Sequence, residues 1–534
     1  MENDNTYYWW QTGIIYEVYA RSFQDSNGDG IGDLEGIIQR LDYLQWLGIT
    51  TVWLTPVYPS PMKDLGYDIS DFQNIDPLFG DLHTFDRLLN AIHEKGMRLI
   101  IDLVPNHTSD QHPWFKESRS SKDNPKRNWY IWKDAKEDGS EPNNWLSVLG
   151  GPAWEWDAVT KQYYYHAFLK EQPDLNLRNP EVLDAILNIM RFWLNKGVDG
   201  FRIDVMWHLM KDEKFRDNPI NPDYKTTMPD CDKLQQVFSC DQPEVHEVIR
   251  TMRKVLEEYG DKVMVGEIYL PVNKIVTYYG QDDQGAQLPA NFQLLFIPWE
   301  AEQIALAVAK YEAQLPDVCW PNWVIGNHDR ARLISRIGAA QTRIAAILLL
   351  MLRGTPMMYY GDEIGMEQVP IPPGEHKDPQ GLLMPGKNMS RDPQRTPMQW
   401  NGTANAGFTK GKPWLRLAEN YQQVNVAAQQ DSEDSLLMFY KKLIMLRQKE
   451  PSLTIGDYFP VYTNKQIFSF TREKEGASSF LIVVNLTDKE AAFKPEHKKL
   501  KGIIELSTSK HLEGVALEQC VSLKGNEGII VRLQ

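Results

Sequence analysis

The 534-residue chain has few cysteines and no long apolar run. The cysteines are Cys231, Cys240, Cys319 and Cys520. Their spacing is not that of a metal site, so we expect reduced thiols, although Cys231 and Cys240 are near enough in sequence to form a disulfide. The longest apolar run, 344–352, is too short to span a bilayer, and the start of the chain lacks a secretory-signal pattern. The sequence therefore predicts a soluble, cytoplasmic protein with no membrane partner.

Positive charge is also in deficit. The chain has 57 Lys and Arg against 72 Asp and Glu, a net charge of -15. A nucleic-acid-binding protein needs clustered Lys and Arg to neutralise phosphates, so this balance argues against a nucleic-acid partner or a polyanionic substrate. A hydrophobic content of 42% and 17 Trp are typical of a globular protein with an aromatic-rich surface or cleft.

Strand and helix patterns alternate through the first hundred residues. Predicted strands lie at 14–19, 51–54 and 98–104, and predicted helices at 34–47 and 82–95. This alternation indicates right-handed βαβ units and a parallel sheet. A length prior would allow roughly three domains, and a (β/α)8 barrel with additions fits that length equally well.

Three segments depart from this rhythm and define the predicted domains. Residues 108–176 are polar and rich in Trp, and we interpret them as a subdomain inserted after the third strand, because structureless loops of that length are rare. The rhythm returns afterwards, so the barrel would comprise 1–107 and 177–454. A Pro- and Gly-dense loop or lid occupies 370–414, and short strands in 455–534 predict an antiparallel β-sandwich domain. The predicted fold class is α/β, a TIM barrel with these two additions.

Four acidic residues follow or end apolar strands in one order along the chain: Asp102, Asp204, Glu267 and Asp329. In a parallel barrel the loops after the strands converge on one face, so distant residues can share a pocket. This placement makes Asp204, Glu267 and Asp329 candidate partners.

The chemistry of two such acids fits glycoside hydrolysis with retention, which needs a nucleophile and a proton donor about 5 to 5.5 Å apart. Arg202 lies two residues before Asp204, so both side chains point the same way and the guanidinium would keep Asp204 ionised. A strand-end ion pair is the alternative for Asp204, and helix capping is the alternative for Glu267 and Asp329. His107 and His328 would bind sugar hydroxyls, or else are satisfied core histidines.

From about residue 14 to 400, the order and content of these motifs resemble the alpha-amylase family of retaining glycoside hydrolases. The resemblance implies that Asp204 is the nucleophile, Glu267 the acid/base and Asp329 a third acid that holds sugar hydroxyls. It also implies a pocket for the sugar being cleaved, lined by Tyr67, His107, Arg202 and His328.

Asp68 and Arg395 resemble the family's pair that closes this pocket against the 4-hydroxyl of the terminal sugar, which implies exo action. A structural salt bridge is the alternative. The segment 172–176 is similar to that of the alpha-glucosidase and oligo-1,6-glucosidase branch, so Gln172 and Phe168 would border the cleavage point. Phe168 is otherwise a core residue.

The residue after the nucleophile is Val205, which resembles enzymes that cut α-1,6 links, but segment 206–219 departs from the usual oligo-1,6-glucosidase form. The resemblance therefore implies a broad alpha-glucosidase for short oligosaccharides, with transglycosylation as a side reaction. The alternatives are an oligo-1,6-glucosidase and an isomerase such as a trehalose synthase. A transporter-associated binding module is disfavoured, because it would have a membrane span and would have lost the acids.

Oxygen-bearing residues alternate with glycines in segment 25–33, which is typical of the start of a calcium loop. An EF-hand is excluded, because its twelfth position holds Gly36 where a bidentate Glu is required. Resemblance to the same branch implies a structural Ca²⁺ bound by Asp25, Asn27, Asp29, Asp33 and the carbonyl of Ile31. A tight polar turn and a Mg²⁺ site remain alternatives. No organic cofactor is implied, and the oligomeric state is open.

Overall fold

The structure is a computed structural model that describes residues 7–495, 500–518 and 520–534. Within these residues the strands are β1 (Ile15–Val18), β2 (Thr51–Leu54), β3 (Arg98–Leu103), β4 (Trp132–Lys133), β5 (Trp154–Asp157), β6 (Gln162–Tyr165), β7 (Gly200–Ile203), β8 (Val263–Gly266), β9 (Leu288–Pro289), β10 (Asn322–Val324), β11 (Thr355–Tyr359), β12 (Asp457–Thr463), β13 (Ile467–Glu473), β14 (Phe480–Asn485), β15 (Ala491–Phe493), β16 (Lys501–Ser507), β17 (Ala516–Glu518), β18 (Val521–Leu523) and β19 (Gly528–Leu533). The α-helices are α1 (Trp9–Thr12), α2 (Ala20–Phe23), α3 (Leu34–Leu47), α4 (Leu82–Glu94), α5 (Pro113–Ser120), α6 (Pro180–Lys196), α7 (Val245–Glu257), α8 (Val272–Ile275), α9 (Gln293–Phe296), α10 (Ala301–Gln314), α11 (Leu333–Ile337), α12 (Thr342–Met351), α13 (Pro379–Leu383), α14 (Val426–Gln430), α15 (Leu436–Lys449) and α16 (Pro451–Ile455).

Eight parallel strands form one sheet in the order β10-β11-β1-β2-β3-β7-β8-β9. Its two end strands, β9 and β10, are linked through one side chain, because Asn322 donates a hydrogen bond to the carbonyl of Pro289 at 2.7 Å and accepts one from the amide of Asn291 at 2.8 Å. The sheet therefore closes almost completely into a barrel. The predicted (β/α)8 fold class is confirmed.

The barrel strands are buried on both faces, as parallel strands covered by helices require. One set of their side chains packs together in a cluster that includes Ile15, Trp53 and Ile100. The opposite faces pack against the surrounding helices in the largest hydrophobic cluster. Helices α3 and α6 begin at the capping side chains of Asp33 and Asn179 and end before glycines with positive φ.

Three further sheets lie outside the barrel among the described residues. Between β3 and α6, strands β4, β6 and β5 form a small antiparallel sheet, within the segment predicted to be an insertion. After α16, an antiparallel sheet runs in the order β12-β13-β14-β19-β16-β17, and a separate β15–β18 pair packs on it through Phe493 and Leu523. The exact domain boundaries stay predictions.

The structure also bears on the expected state of the cysteines and on the expected lack of a membrane span. In the described part of the chain the four cysteines are free thiols, and those at 231, 240 and 319 are buried. Among the residues described, every helix is too short or too polar to cross a membrane.

Candidate active site

The ends of three barrel strands bring the predicted acids together. Asp204 directly follows β7, Glu267 directly follows β8, and Asp329 lies in the loop after β10. All three line one cavity of about 1060 Å³ at the carboxyl ends of the strands. Asp102 belongs to β3 itself and is fully buried beneath them. The arrangement agrees with the expectation that loops after parallel strands converge.

One guanidinium links the acids. Arg202 is 2% exposed; its Nη1 lies 2.7 Å from Oδ1 of Asp204, and its Nη2 lies 2.8 Å from Oε2 of Glu267. The same Nη1 lies 2.5 Å from Oδ1 of Asp102. A two-residue spacing on β7 directs Arg202 to the same side as Asp204, as the sequence predicts. Both acids therefore contact one rigid, planar cation that lies beneath the cavity floor.

The charge state of these acids is set by burial and by each other. Burial raises the pKa of Asp204 well above its usual range, Arg202 opposes this shift, and repulsion from Glu267 adds to it. Burial likewise raises the pKa of Glu267, again opposed by Arg202. Since one cation faces three carboxyl groups, the cluster favours keeping a proton on one of the two cavity-lining acids. A pair with one ionised and one protonated carboxyl can act as nucleophile and acid.

The residue after Asp204 has a strained backbone conformation, and its amide contacts Glu267. Val205 has a φ of 40°, in the left-handed region that β-branched residues rarely adopt. In this conformation its amide donates a hydrogen bond to Oε2 of Glu267 at 2.8 Å. The strain thus fixes the orientation of the Glu267 carboxyl relative to Asp204.

Asp329 is held by three cationic or polar partners. Its carboxylate accepts hydrogen bonds from Arg395 Nη2 at 2.7 Å and Arg391 Nη1 at 3.3 Å, and it lies 3.4 Å from Nε2 of His328. Burial raises the pKa of Asp329, but His328, Arg391 and Arg395 together outweigh burial and lower it below the usual range. Asp329 is therefore ionised at neutral pH.

Tyr67 and His328 form a flat stack on the cavity wall. Their ring centroids are 5.6 Å apart with planes at 16°, and the Tyr67 hydroxyl lies 3.1 Å from Nε2 of His328. The other ring nitrogen of His328 contacts a buried carboxyl oxygen of Glu17. Burial lowers the pKa of His328 well below its usual value. The imidazole is thus neutral and rigidly oriented.

His107 and Phe168 line the opposite part of the wall, with ring centroids 5.5 Å apart. Burial lowers the pKa of His107 to about 4, so this histidine is neutral too. Gln172 is fully buried behind the wall, 3.0 Å from His107, and donates a hydrogen bond to Asp64 at 3.1 Å. It therefore supports the pocket from behind, whereas the sequence placed it at the cleavage point beside Phe168.

The predicted pair of Asp68 and Arg395 is corrected. Within the described residues these two side chains form no hydrogen bond or ion pair with each other. Asp68 accepts hydrogen bonds at 2.9 Å from the Ser60 hydroxyl and from the amides of Lys63 and Asp64, so it organises its own loop. Burial raises its pKa to about 6. Arg395 is fully buried and donates to Asp329 and to the carbonyl of His328.

A different acid and arginine meet at the cavity wall. Asp64 and Arg391 both line the cavity, and Nη2 of Arg391 lies 2.6 Å from Oδ1 of Asp64. The same nitrogen lies 2.7 Å from Oδ1 of Asp378. These two residues lie four positions before Asp68 and Arg395, and each motif offers two residues of the same charge. The sequence therefore indicated an acid and an arginine in these two motifs, but spacing alone could not decide which acid and which arginine meet.

Four aromatic residues and one arginine on the cavity wall were not predicted from the sequence. Three of them follow the three acids by one to three positions: Trp207, Tyr269 and Arg330, which stacks on the rings. Phe292 and Phe296 complete the group. For the first three, their position within three residues after a strand-end acid was the available signal.

The predicted metal loop is closed by its own backbone. The Asp25 carboxylate accepts hydrogen bonds from the amides of Asn27, Gly28 and Gly30, at 2.7 to 2.9 Å. Asp33 accepts from Ser26 and from the amide of Gly36. Across the described residues, no three acidic, histidine or cysteine side chains are grouped to hold a metal ion. Bound calcium stays a prediction.

Comparison with known proteins identifies the family. Residues 17–456 match the model of the alpha-amylase catalytic domain. A curated alpha-glucosidase from Apis mellifera is 41% identical over 89% of this chain and 85% of the relative, and an oligo-1,6-glucosidase from Heyndrickxia coagulans is 40% identical over 91% of this chain and 93% of the relative.

Solved structures agree with this assignment. An alpha-glucosyl transfer enzyme matches with a TM-score of 0.94 and 38% identity, over 99% of this chain and all of that one. The trehalulose synthase of Pseudomonas mesoacidophila MX-45 matches with a TM-score of 0.90 and 34% identity, over 98% of this chain and 99% of that one. With its barrel and with three strand-end acids in one cavity, the chain belongs to the alpha-amylase family of glycoside hydrolases.

Proposed function

We propose that this protein is an exo-acting, retaining alpha-glucosidase that releases the terminal non-reducing α-linked glucose of short oligosaccharides. One observation carries the proposal: the Arg202 guanidinium contacts both Asp204 and Glu267 at the floor of the cavity. Acids that share one guanidinium are close enough for the short carboxyl separation, about 5 to 5.5 Å, of retaining enzymes.

The roles are those that the family resemblance implies, with the proton of the pair assigned to Glu267. Asp204 attacks the anomeric carbon while Glu267 gives its proton to the departing oxygen, which leaves a covalent glucosyl–Asp204 ester. Glu267, now ionised, takes a proton from water, and that water displaces Asp204 from the sugar. Asp329 stays ionised and accepts hydrogen bonds from sugar hydroxyls, which strengthen as charge develops on the ring in the transition state.

Exo action is supported by the pair of Asp64 and Arg391. In this proposal the pair takes the role that the sequence predicts for Asp68 and Arg395, binding the 4-hydroxyl of the terminal sugar. The flat stack of Tyr67 on His328 offers a platform for one face of that sugar.

The linkage preference is proposed to be broad. The relatives named alpha-glucosidase and oligo-1,6-glucosidase are almost equally similar to this chain. The matching transfer enzyme and trehalulose synthase keep glucosyl transfer and isomerisation as second candidates, because the same covalent intermediate can be captured by a hydroxyl group.

The test is turnover of maltose, isomaltose, sucrose and trehalose by wild type, Asp204→Ala and Glu267→Gln. We expect wild type to release glucose, and each variant to lose more than about a hundredfold in kcat. Glu375→Gln, a change at an exposed surface ion pair, is the control and keeps wild-type activity. A folded variant at Asp204 or Glu267 that retains more than about a hundredth of the activity would contradict the assigned roles.

We also propose that segment 25–33 binds a structural Ca²⁺. Three carboxylates, one amide oxygen and one carbonyl are hard oxygen ligands of the kind that Ca²⁺ prefers. Backbone amides orient Asn27, Asp29 and Asp33, and Oδ1 of each accepts one hydrogen bond, which leaves a second lone pair for a cation. After metal has been removed with a chelator, added Ca²⁺ should raise the melting temperature, and Asp29→Ala should abolish that rise. Equal melting temperatures with and without Ca²⁺ would remove this proposal.

A further inference from the structure

Glu17 is a buried carboxyl group behind the cavity wall that takes no part in the reaction proposed above. It lies on β1 and is 1% exposed. Its Oε1 contacts Nδ1 of His328, and among the described residues its carboxyl group forms no ion pair with a lysine or an arginine. A buried carboxylate without a cation beside it is costly. The hydrogen bond to His328 therefore has to account for its presence.

The imidazole of His328 is held in one orientation by its neighbours. It is nearly parallel to the rings of Tyr67 and Tyr19, with centroids 5.6 and 5.7 Å away and planes at 16° and 22°. In this orientation Nδ1 faces Glu17, while Nε2 faces the Tyr67 hydroxyl and Asp329. Because the ring is packed in place, the positions of its hydrogens have to suit both sides at once.

The side of His328 that faces the cavity favours a hydrogen on Nε2. This nitrogen lies 3.4 Å from Oδ2 of Asp329, which is ionised because Arg395 and Arg391 donate hydrogen bonds to it. An ionised carboxylate only accepts hydrogen bonds, so a bare lone pair on Nε2 would be repelled by Asp329. The Tyr67 hydroxyl, 3.1 Å from Nε2, can accept a hydrogen as well as donate one. Both neighbours are therefore compatible with an Nε2–H group.

A hydrogen on Nε2 determines the protonation of Glu17. Burial lowers the pKa of His328 well below its usual value, so the ring is neutral and has one N–H group. Nδ1 is then a bare acceptor, and its contact with Oε1 of Glu17 needs a hydrogen from the carboxyl group. Burial also raises the pKa of Glu17 well above its usual range; Arg202 opposes this shift, and Asp329 and Asp102 add to it. The contact and the surroundings of Glu17 thus favour the same protonated form.

We propose that Glu17 is a positioning residue, a neutral carboxylic acid that donates to Nδ1 of His328 and so keeps the hydrogen of this imidazole on Nε2, toward the cavity. The protonation of one ring nitrogen is set by the hydrogen bond that the other makes. His328 then offers a donor to a sugar hydroxyl, beside Asp329, which can only accept. This inference rests on the proposed glucosidase function and adds a residue that prepares the same site.

The tautomer can be measured directly by 15N NMR of the full-length protein, labelled at either Nε2 or Nδ1 of its histidines. Protonated and bare ring nitrogens have separate shifts. The His328 signal is the one missing from His328→Gln, and the signal that Glu17→Gln shifts gives the same assignment independently. We expect a protonated Nε2 and a bare Nδ1 in wild type at neutral pH. A bare Nε2, or hydrogen on both nitrogens, would overturn the proposal.

Two substitutions at Glu17 test its positioning role through turnover of maltose. Glu17→Gln keeps a hydrogen donor for Nδ1 and cannot ionise, so kcat/KM should stay within about threefold of wild type. Glu17→Met has a similar length but leaves Nδ1 without a partner, so kcat/KM should fall at least about tenfold. The matched control is Glu363→Met, because Glu363 is also a fully buried glutamate but accepts hydrogen bonds from Tyr16 and Tyr43. This control should lower the melting temperature and leave kcat/KM unchanged.

The kinetic outcomes are decisive for folded variants. If Glu17→Met keeps kcat/KM within about threefold of wild type, Glu17 has no positioning role. An equal, large loss in Glu17→Gln and Glu17→Met would also contradict the proposal, since it would show that the charge of Glu17 is needed and not its hydrogen. If the wild type cleaves no α-glucoside, the glucosidase function fails, while the 15N spectra still decide the tautomer of His328.

Discussion

Arg391 should be the most costly single cation to remove from the cavity wall. Its guanidinium lies 2.6 Å from Asp64, 2.7 Å from Asp378 and 3.3 Å from Asp329. The Asp378 side chain is fully buried and that of Asp64 is 7% exposed. Arg391→Met keeps much of the apolar stem but leaves two buried carboxylates without their cation. Such a loss costs about 3 to 5 kcal/mol.

The matched control is Arg416→Met. Arg416 and Glu375 form an equally short ion pair of 2.5 Å, but their side chains are 52% and 48% exposed. An exposed pair contributes little to stability because water screens it, so the two substitutions separate burial from charge. Urea unfolding, followed by circular dichroism at pH 7, gives the midpoint shift of each variant. The reasoning is refuted if Arg391→Met costs no more stability than Arg416→Met.

Arg391→Met should also change the pH dependence of activity. Burial raises the pKa of Asp64 and Arg391 opposes that shift, while Arg391 also helps to keep the pKa of Asp329 low, so removing Arg391 raises both pKa values. The acid limb of the pH profile of kcat/KM should then move to higher pH, because more protons are bound near neutrality. An unmoved acid limb in a folded, active variant would show that neither carboxylate needs its charge for turnover.

Two other substitutions test separate parts of the structure. His112 caps α5 by accepting a hydrogen bond from the amide of Trp114, and burial lowers its pKa to about 4. As the pH falls, the unfolded chain therefore takes up a proton at His112 before the folded protein does, and the free energy of unfolding decreases between about pH 6.5 and 4. The variant His112→Asn keeps a capping side chain that cannot titrate. In urea titrations at pH 4 it should regain about 1 to 3 kcal/mol of unfolding free energy. Val205→Thr keeps the branched shape but adds a hydroxyl at the cavity, so the ratio of maltose to isomaltose turnover should rise about tenfold. An unchanged ratio would show that residue 205 does not determine the linkage preference.

Much of the barrel was predictable because burial leaves a clear pattern. Strands β1 to β3 and helices α3 and α4 begin and end within one or two residues of their predicted bounds. Strand β9 was not predicted, since it has two residues, Leu288 and Pro289, and forms no apolar run. The near closure of the barrel involves the side chain of Asn322 and a backbone hydrogen bond from Val324 to Asn291, neither of which periodicity reveals.

The candidate site was predictable in its floor but less so in its walls. Acids at strand ends identified Asp204, Glu267 and Asp329 as neighbours, and the cavity brings them together. The pair of Asp64 and Arg391 could not be chosen, because the direction of a loop side chain depends on the hydrogen bonds of the whole loop. Asp68 is one such case, since backbone amides capture its carboxylate.

The most direct test asks which carboxylate becomes covalently bound to glucose. An activated, fluorinated α-glucosyl fluoride that forms the intermediate quickly and releases it slowly should label the protein once. Peptide mass mapping should then find the sugar on Asp204, and Asp204→Ala should not be labelled. A label on Glu267, or an enzyme that turns over without any covalent adduct, would contradict the double-displacement mechanism.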